Sequence, residues 1–155
     1  MIRIADINKN DVINGQGVCV SVWTQGCPHR CKGCHNPESW SFSGGYEIEE
    51  NEVIEQVLQY LIENGVQRNL SILGGEPLCR ENLKFTMTLL AKAKEKYPHI
   101  KTFVWTGYHM EDFAREYLKN IDVLIDGPFI LEERDITLKL RGSKNQRILY
   151  NGFDF

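Results

Sequence analysis

Apolar positions along the chain fall into two alternating kinds of run. Short runs rich in β-formers close on glycine: VCVSVWTQ over 18–25 ends at Gly26, NLSIL over 69–73 at Gly74-Gly75, KTFVWT over 101–106 at Gly107, and IDVLID over 121–126 at Gly127-Pro128. Such runs read as strands. Between them apolar residues recur at helical spacing. Val53, Ile54, Val57, Leu58 and Leu61 predict a helix over roughly 49–64, with glutamates at its start and Gly65 suited to its C-cap. Leu83, Met87, Leu90 and Ala93 predict a second over about 81–96, stopped by Pro98. Met110, Phe113, Ala114, Tyr117 and Leu118 predict a third over about 110–118. No helix of ordinary length fits between Cys27 and Gly45, where Pro28, Gly33, Pro37 and Gly44-Gly45 interrupt the chain. Asn14-Gly15-Gln16-Gly17 reads as a tight turn, and 136–150 holds only scattered β-formers.

Strands alternating with helices imply an α/β fold with parallel strands and right-handed crossovers. Such sheets bind ligands at the carboxyl ends of their strands. Every conspicuous motif lies at such an end: the cysteine-bearing loop after Thr24, GGEP at 74–77, Trp105-Thr106-Gly107-Tyr108, and Asp126-Gly127-Pro128-Phe129. A chain of 155 residues suffices for one domain over 1–155 but cannot close an eight-stranded barrel, which takes about 250 residues. The expectation is an open, partial (β/α) barrel with about five or six mainly parallel strands.

Charge narrows the partners. Lys plus Arg is 18 against 21 Asp plus Glu, a net charge of −3, so nothing draws the chain generally to nucleic acid or anionic membrane. Four basic residues between Lys139 and Arg147, with no aromatics interleaved, read as solvated surface and not as a nucleic-acid site. No apolar run is long enough to cross a bilayer, and MIRIADINKNDV lacks the apolar core of a signal peptide. A cytoplasmic location is expected, where disulfides are rare.

Against that background the five cysteines change the picture. Cys19 and Cys79 stand alone and read as small buried apolar side chains. Cys27, Cys31 and Cys34 share one loop with C-x3-C-x2-C spacing. Structural zinc usually takes four ligands as two separated pairs. An ordinary iron–sulfur cluster also takes four cysteines. Three crowded thiols therefore suggest a cluster with one iron left open to a non-protein ligand. A zinc site of these three cysteines with His29 or His35 is the alternative. It would make the protein a non-enzymatic module.

The cysteine loop resembles the signature of the radical S-adenosylmethionine (SAM) enzymes, and GGEP resembles the segment that holds the methionine amino group in that superfamily. Gly33 stands where an aromatic residue is common there, so backbone contacts from Gly33 to His35 replace side-chain packing on the adenine. A narrower resemblance covers residues 12–146: Val12-Ile-Asn-Gly15, the loop through Trp40, GGEP, Val104-Trp-Thr-Gly-Tyr108, Leu124-Ile-Asp-Gly127 and Arg141-Gly-Ser-Lys-Asn-Gln146. These segments resemble the activating proteins of anaerobic ribonucleoside-triphosphate reductase. Cys34-His35-Asn36 is closer to activators of pyruvate formate-lyase, the alternative activase.

The resemblance implies a partial barrel of the radical SAM type and an oxidoreductase with two cofactors. These are a 4Fe-4S cluster on Cys27, Cys31 and Cys34, and SAM on its open iron. Gly33, Cys34, His35, Asn36, Gly74, Gly75, Glu76, Thr106 and Gly107 are the implied SAM contacts. An electron donor such as reduced flavodoxin reduces the cluster, and SAM is cleaved to methionine and a 5′-deoxyadenosyl radical. That radical takes hydrogen from a glycine of the partner reductase. No side chain acts as acid or base, in keeping with the lack of a recognisable dyad. Glu76 either accepts a bond from SAM directly or fixes its loop.

Overall fold

The computed structural model describes residues 1–155. Its elements are β1 (Ile2–Asp11), β2 (Cys19–Thr24), β3 (Tyr46–Ile48), α1 (Glu50–Tyr60), β4 (Asn69–Gly74), α2 (Leu83–Lys96), β5 (Thr102–Trp105), β6 (Val123–Asp126) and β7 (Arg147–Tyr150). All strands join one sheet in the order β3-β1-β2-β4-β5-β6-β7. β2, β4, β5 and β6 pair in parallel, while β1, β3 and β7 pair antiparallel at the flanks.

The four parallel strands are those marked by glycine-terminated runs. They are buried almost throughout, as parallel strands covered on both faces must be. Alternation along them divides the sheet into two faces. Val20, Val22, Leu70, Ile72, Val104 and Leu124 point into one core with Val53, Ile54 and Val57 of α1 and Phe85, Leu89, Leu90 and Ala93 of α2. Each of these side chains larger than alanine contributes about 1.5–3 kcal/mol when fully buried. Phe103, Val123 and Ile125 point the other way, into a smaller cluster backed by Trp105, Leu140 and Ile148. Helices thus cover one face, and the loops that carry the motifs gather over the other.

The seven strands exceed the five or six expected, and three of the six pairings are antiparallel. β1 escapes the pattern because its pairing with β2 slips between Ile4 and Asp6, which breaks the alternation of buried positions. β3 has three residues, too few for a periodic signal.

The helix expected over 110–118 is instead two 3-10 turns, Met110–Asp112 and Arg115–Tyr117, separated by extended Phe113 and Ala114. Asp112 accepts from His109 N at 2.9 Å, and Asp126 accepts from Met110 N at 2.8 Å. These side-chain acceptors satisfy the backbone locally, and so short a segment has little helical cooperativity to oppose them. The other two helices are present with trimmed ends.

Candidate cofactor site

A cavity of about 480 Å³ opens on the loop-bearing face, at the carboxyl ends of β2, β4 and β5. It lies within the range of pockets that enclose a cofactor-sized ligand. Cys27, Cys31 and Cys34 line it, as do Gly74, Gly75, Glu76, Thr106 and Gly107. His35 and Asn36 line it too. Gly33 does not: it adopts φ +76° and its Cα faces Leu131.

The cysteine loop is tied down by its own backbone. Gly26 N donates to Ser39 O at 2.7 Å, Cys27 N to Trp40 O at 3.1 Å and Cys34 N to Cys31 O at 3.1 Å. Asn36 N donates to Cys34 Sγ at 3.5 Å. All five cysteines are free thiols. Cys19 and Cys79 are buried, whereas the loop three are partly exposed to the cavity. Burial pushes the Cys79 thiol up to about 12. Burial also pushes Cys27 up to about 11, aided by the nearby Glu76 charge and opposed by the backbone N–H groups of His29 and Arg30. Metal binding there would have to displace the proton.

Glu76 organises the cavity. It is 1% exposed. Its Oε1 meets His29 Nε2 at 2.7 Å and accepts from Gly107 N at 2.6 Å. Its Oε2 accepts from Thr106 Oγ1 at 2.7 Å and Leu78 N at 2.9 Å. One carboxylate therefore joins the cysteine loop, the GGEP loop and the turn after β5. Glycine is required where these segments meet. A Cβ on Gly75 would run into Gly26 O, and one on Gly107 would lie 2.6 Å from His29 Cδ2.

The donor set distinguishes the metal readings. His29 is committed to Glu76 and stacks edge-on against Tyr108, with centroids 4.5 Å apart. His35 packs on Phe129 at 5.3 Å. Neither histidine joins the thiols, and no three His, Cys, Asp or Glu side chains close on one point. A single zinc would draw its sulfurs to about 2.3 Å from one centre. A cluster takes each thiolate on a separate iron, so three thiols that line one cavity without closing on a single point fit it better.

Several lining residues escaped the sequence reading. Ile13 and Asn14 do more than form a turn: they wall the cavity. Buried Asp11 holds them, accepting from Ile13 N at 2.8 Å, Asn14 N at 3.0 Å, Asn14 Nδ2 at 2.8 Å and Ser21 Oγ at 2.5 Å. Trp40, Phe129, Arg141 and Gln146 also line it. The segment read as a solvated basic surface is thus a strap in which two of the cations have structural partners or a cavity to face, though Arg147 stays partly exposed. Arg141 faces the cavity, and Arg147 pairs with fully buried Asp126 at 2.5 Å. A patterned run such as Arg-Gly-Ser-x-Asn-Gln was the available signal.

Comparison with known proteins follows the same outline. The family described as "4Fe-4S single cluster domain" matches residues 13–149. The anaerobic ribonucleoside-triphosphate reductase-activating protein of Haemophilus influenzae is 39% identical over 142 residues, covering 89% of this chain and 91% of its own. That of Enterobacteria phage T4 is 36% identical over 143 residues, covering 91% and 89%. That of Escherichia coli K12 is 30% identical over 140 residues, covering 88% and 90%.

Proposed function

Because the chain belongs to the family of the anaerobic ribonucleoside-triphosphate reductase-activating proteins, we propose that it is the activase that installs a glycyl radical on that reductase. The reading is carried by one observation: the three clustered cysteines and the Gly74-Gly75-Glu76 loop line the same cavity. A 4Fe-4S cluster and SAM are its cofactors. When bound, they supply the one-electron reductive cleavage that makes hydrogen abstraction from a glycine possible.

The chain's own residues bind, orient and exclude. Cys27, Cys31 and Cys34 hold the cluster. Gly74 and Gly75 let the backbone come close to the methionyl end of SAM, with Glu76 fixing their loop from behind. Cys34, His35, Asn36, Thr106 and Gly107 complete the wall toward the nucleoside, and Gly33 shapes the loop by its left-handed backbone. The sheet, with helices on one face and the cavity on the other, is read as an open, partial barrel of the radical SAM type within a single domain. What supports that reading is the block of four parallel strands with the motifs at their carboxyl ends. The partner reductase brings its glycine to that open face. A one-electron donor such as reduced flavodoxin serves the cluster. No helix is long and apolar enough to cross a membrane, and a cytoplasmic site of action fits a protein built on free thiols.

Anaerobic reconstitution with iron and sulfide tests the reading. About four irons per chain are expected. Addition of dithionite, SAM and the reductase should yield 5′-deoxyadenosine and a glycyl-radical EPR doublet. Stoichiometric zinc without sulfide would refute it. A radical formed only on pyruvate formate-lyase would move the activity to the other partner.

A further inference from the structure

In the whole protein two buried side-chain polar atoms have no hydrogen-bond partner: Trp40 Nε1 and Arg141 Nε. Both are donors that cannot accept. Both residues line the cofactor cavity. Buried donors are nearly always paired in folded proteins, so two orphans around one cavity indicate a ligand that brings acceptors.

Arg141 is the more specific of the pair. It is the sole lysine or arginine among the lining residues. It enters none of the protein's ion pairs. Glu76 has its oxygens filled by other donors, and Asp135, a nearby carboxylate of the strap, bonds Thr137 instead. Arg141 is nonetheless held in place. Its Nη1 donates to Gln146 O at 3.1 Å, while Gln146 accepts from Gly142 N at 2.8 Å and donates to Gly127 O at 3.0 Å. That anchoring occupies one nitrogen and leaves the Nε–Nη2 edge without a protein partner. This edge is the planar fork that matches a carboxylate. The loop between β6 and the strap also reaches the cysteine loop, since Phe129 packs on His35 and Leu131 on Gly33.

We propose that Arg141 is the positioning residue for the α-carboxylate of SAM. The inference rests on the reading of the cavity as a SAM site. Of the groups on SAM, the sulfonium and the ammonium repel a guanidinium, and the adenosine carries no charge. The carboxylate alone is anionic. Arg141 thus opposes the GGEP loop in function: the loop presents backbone to the amino end, and the strap presents a cation to the acid end.

The test is binding, not turnover. Dissociation constants for SAM and for decarboxylated SAM are measured on the reconstituted holoenzyme under anaerobic conditions. Wild type is compared with Arg141→Met and Arg141→Lys, and iron, sulfide and circular dichroism are checked for each. Arg141→Met should weaken SAM about ten- to a hundredfold, the range for a charge-assisted hydrogen bond. It should leave decarboxylated SAM unweakened. Arg141→Lys, which keeps the charge but loses the fork, should fall between, and it serves if the methionine variant fails to load its cluster. Equal weakening of both ligands, or unchanged SAM affinity in a loaded variant, would overturn the proposal alone. A wild-type holoenzyme that binds no SAM would overturn the functional reading itself.

Discussion

Glu76 has two oxygens, and four groups from three segments, its own loop included, converge on them. Replacing it by glutamine would turn an amide N–H₂ toward donors that need an acceptor. We expect Glu76→Gln to lower unfolding stability by about 3 kcal/mol, the upper range for an unsatisfied buried polar group, read by urea denaturation. The cysteines divide in the same residue-by-residue way. Cys31→Ala should lose most bound iron and all SAM cleavage. Cys79→Ala should keep both, because Cys79 is buried in the protein and does not line the cavity that the three loop cysteines share. This division was legible from spacing alone. The role of Glu76 was not: its partners His29, Thr106 and Gly107 lie 47, 30 and 31 residues away.

Among the elements, the turn after β1 and the pairing of β6 with β7 depend on single acidic residues. Burial by itself would raise the pKa of Asp11, but the hydrogen bonds from Ser21, Asn14 and Ile13 outweigh it and the net shift is downward. A carboxylate lowered on folding adds stability above its unfolded value and loses it as pH falls through the folded value. Wild type should therefore exceed Asp11→Asn in stability at neutral pH. The gap should shrink as the pH drops below 3.8 and through the lowered value, followed by denaturant titration at each pH. At the other edge Arg147 bonds Asp126 and Glu111, which raises its pKa further and keeps it charged. Arg147→Ala would strand a fully buried carboxylate and should cost about 3 kcal/mol. The same Asp126 accepts from Met110 N, which is one reason the apolar stripe over 110–118 winds into 3-10 turns and not a helix.

On the scale of the whole molecule, the helices seal one face of the sheet and leave the other to loops that meet around the cavity. A ligand that binds only the folded state stabilises all of it. Chelating the iron from holoenzyme should lower the thermal midpoint, and adding SAM to loaded protein should raise it, measured by anaerobic calorimetry. What the sequence determined by itself was everything written in short-range spacing: the C-x3-C-x2-C loop, four glycine-terminated strands, two helices and the order of motifs at the strand ends. Tertiary structure decided the rest. It recruited β1, β3 and β7 to the flanks, gave Glu76 its four partners, and turned Arg141 inward with its Nε buried and unpaired. The reason is physical: periodicity reports which side of an element is buried, whereas a hydrogen bond between loops depends on how distant segments meet, and no local pattern records that.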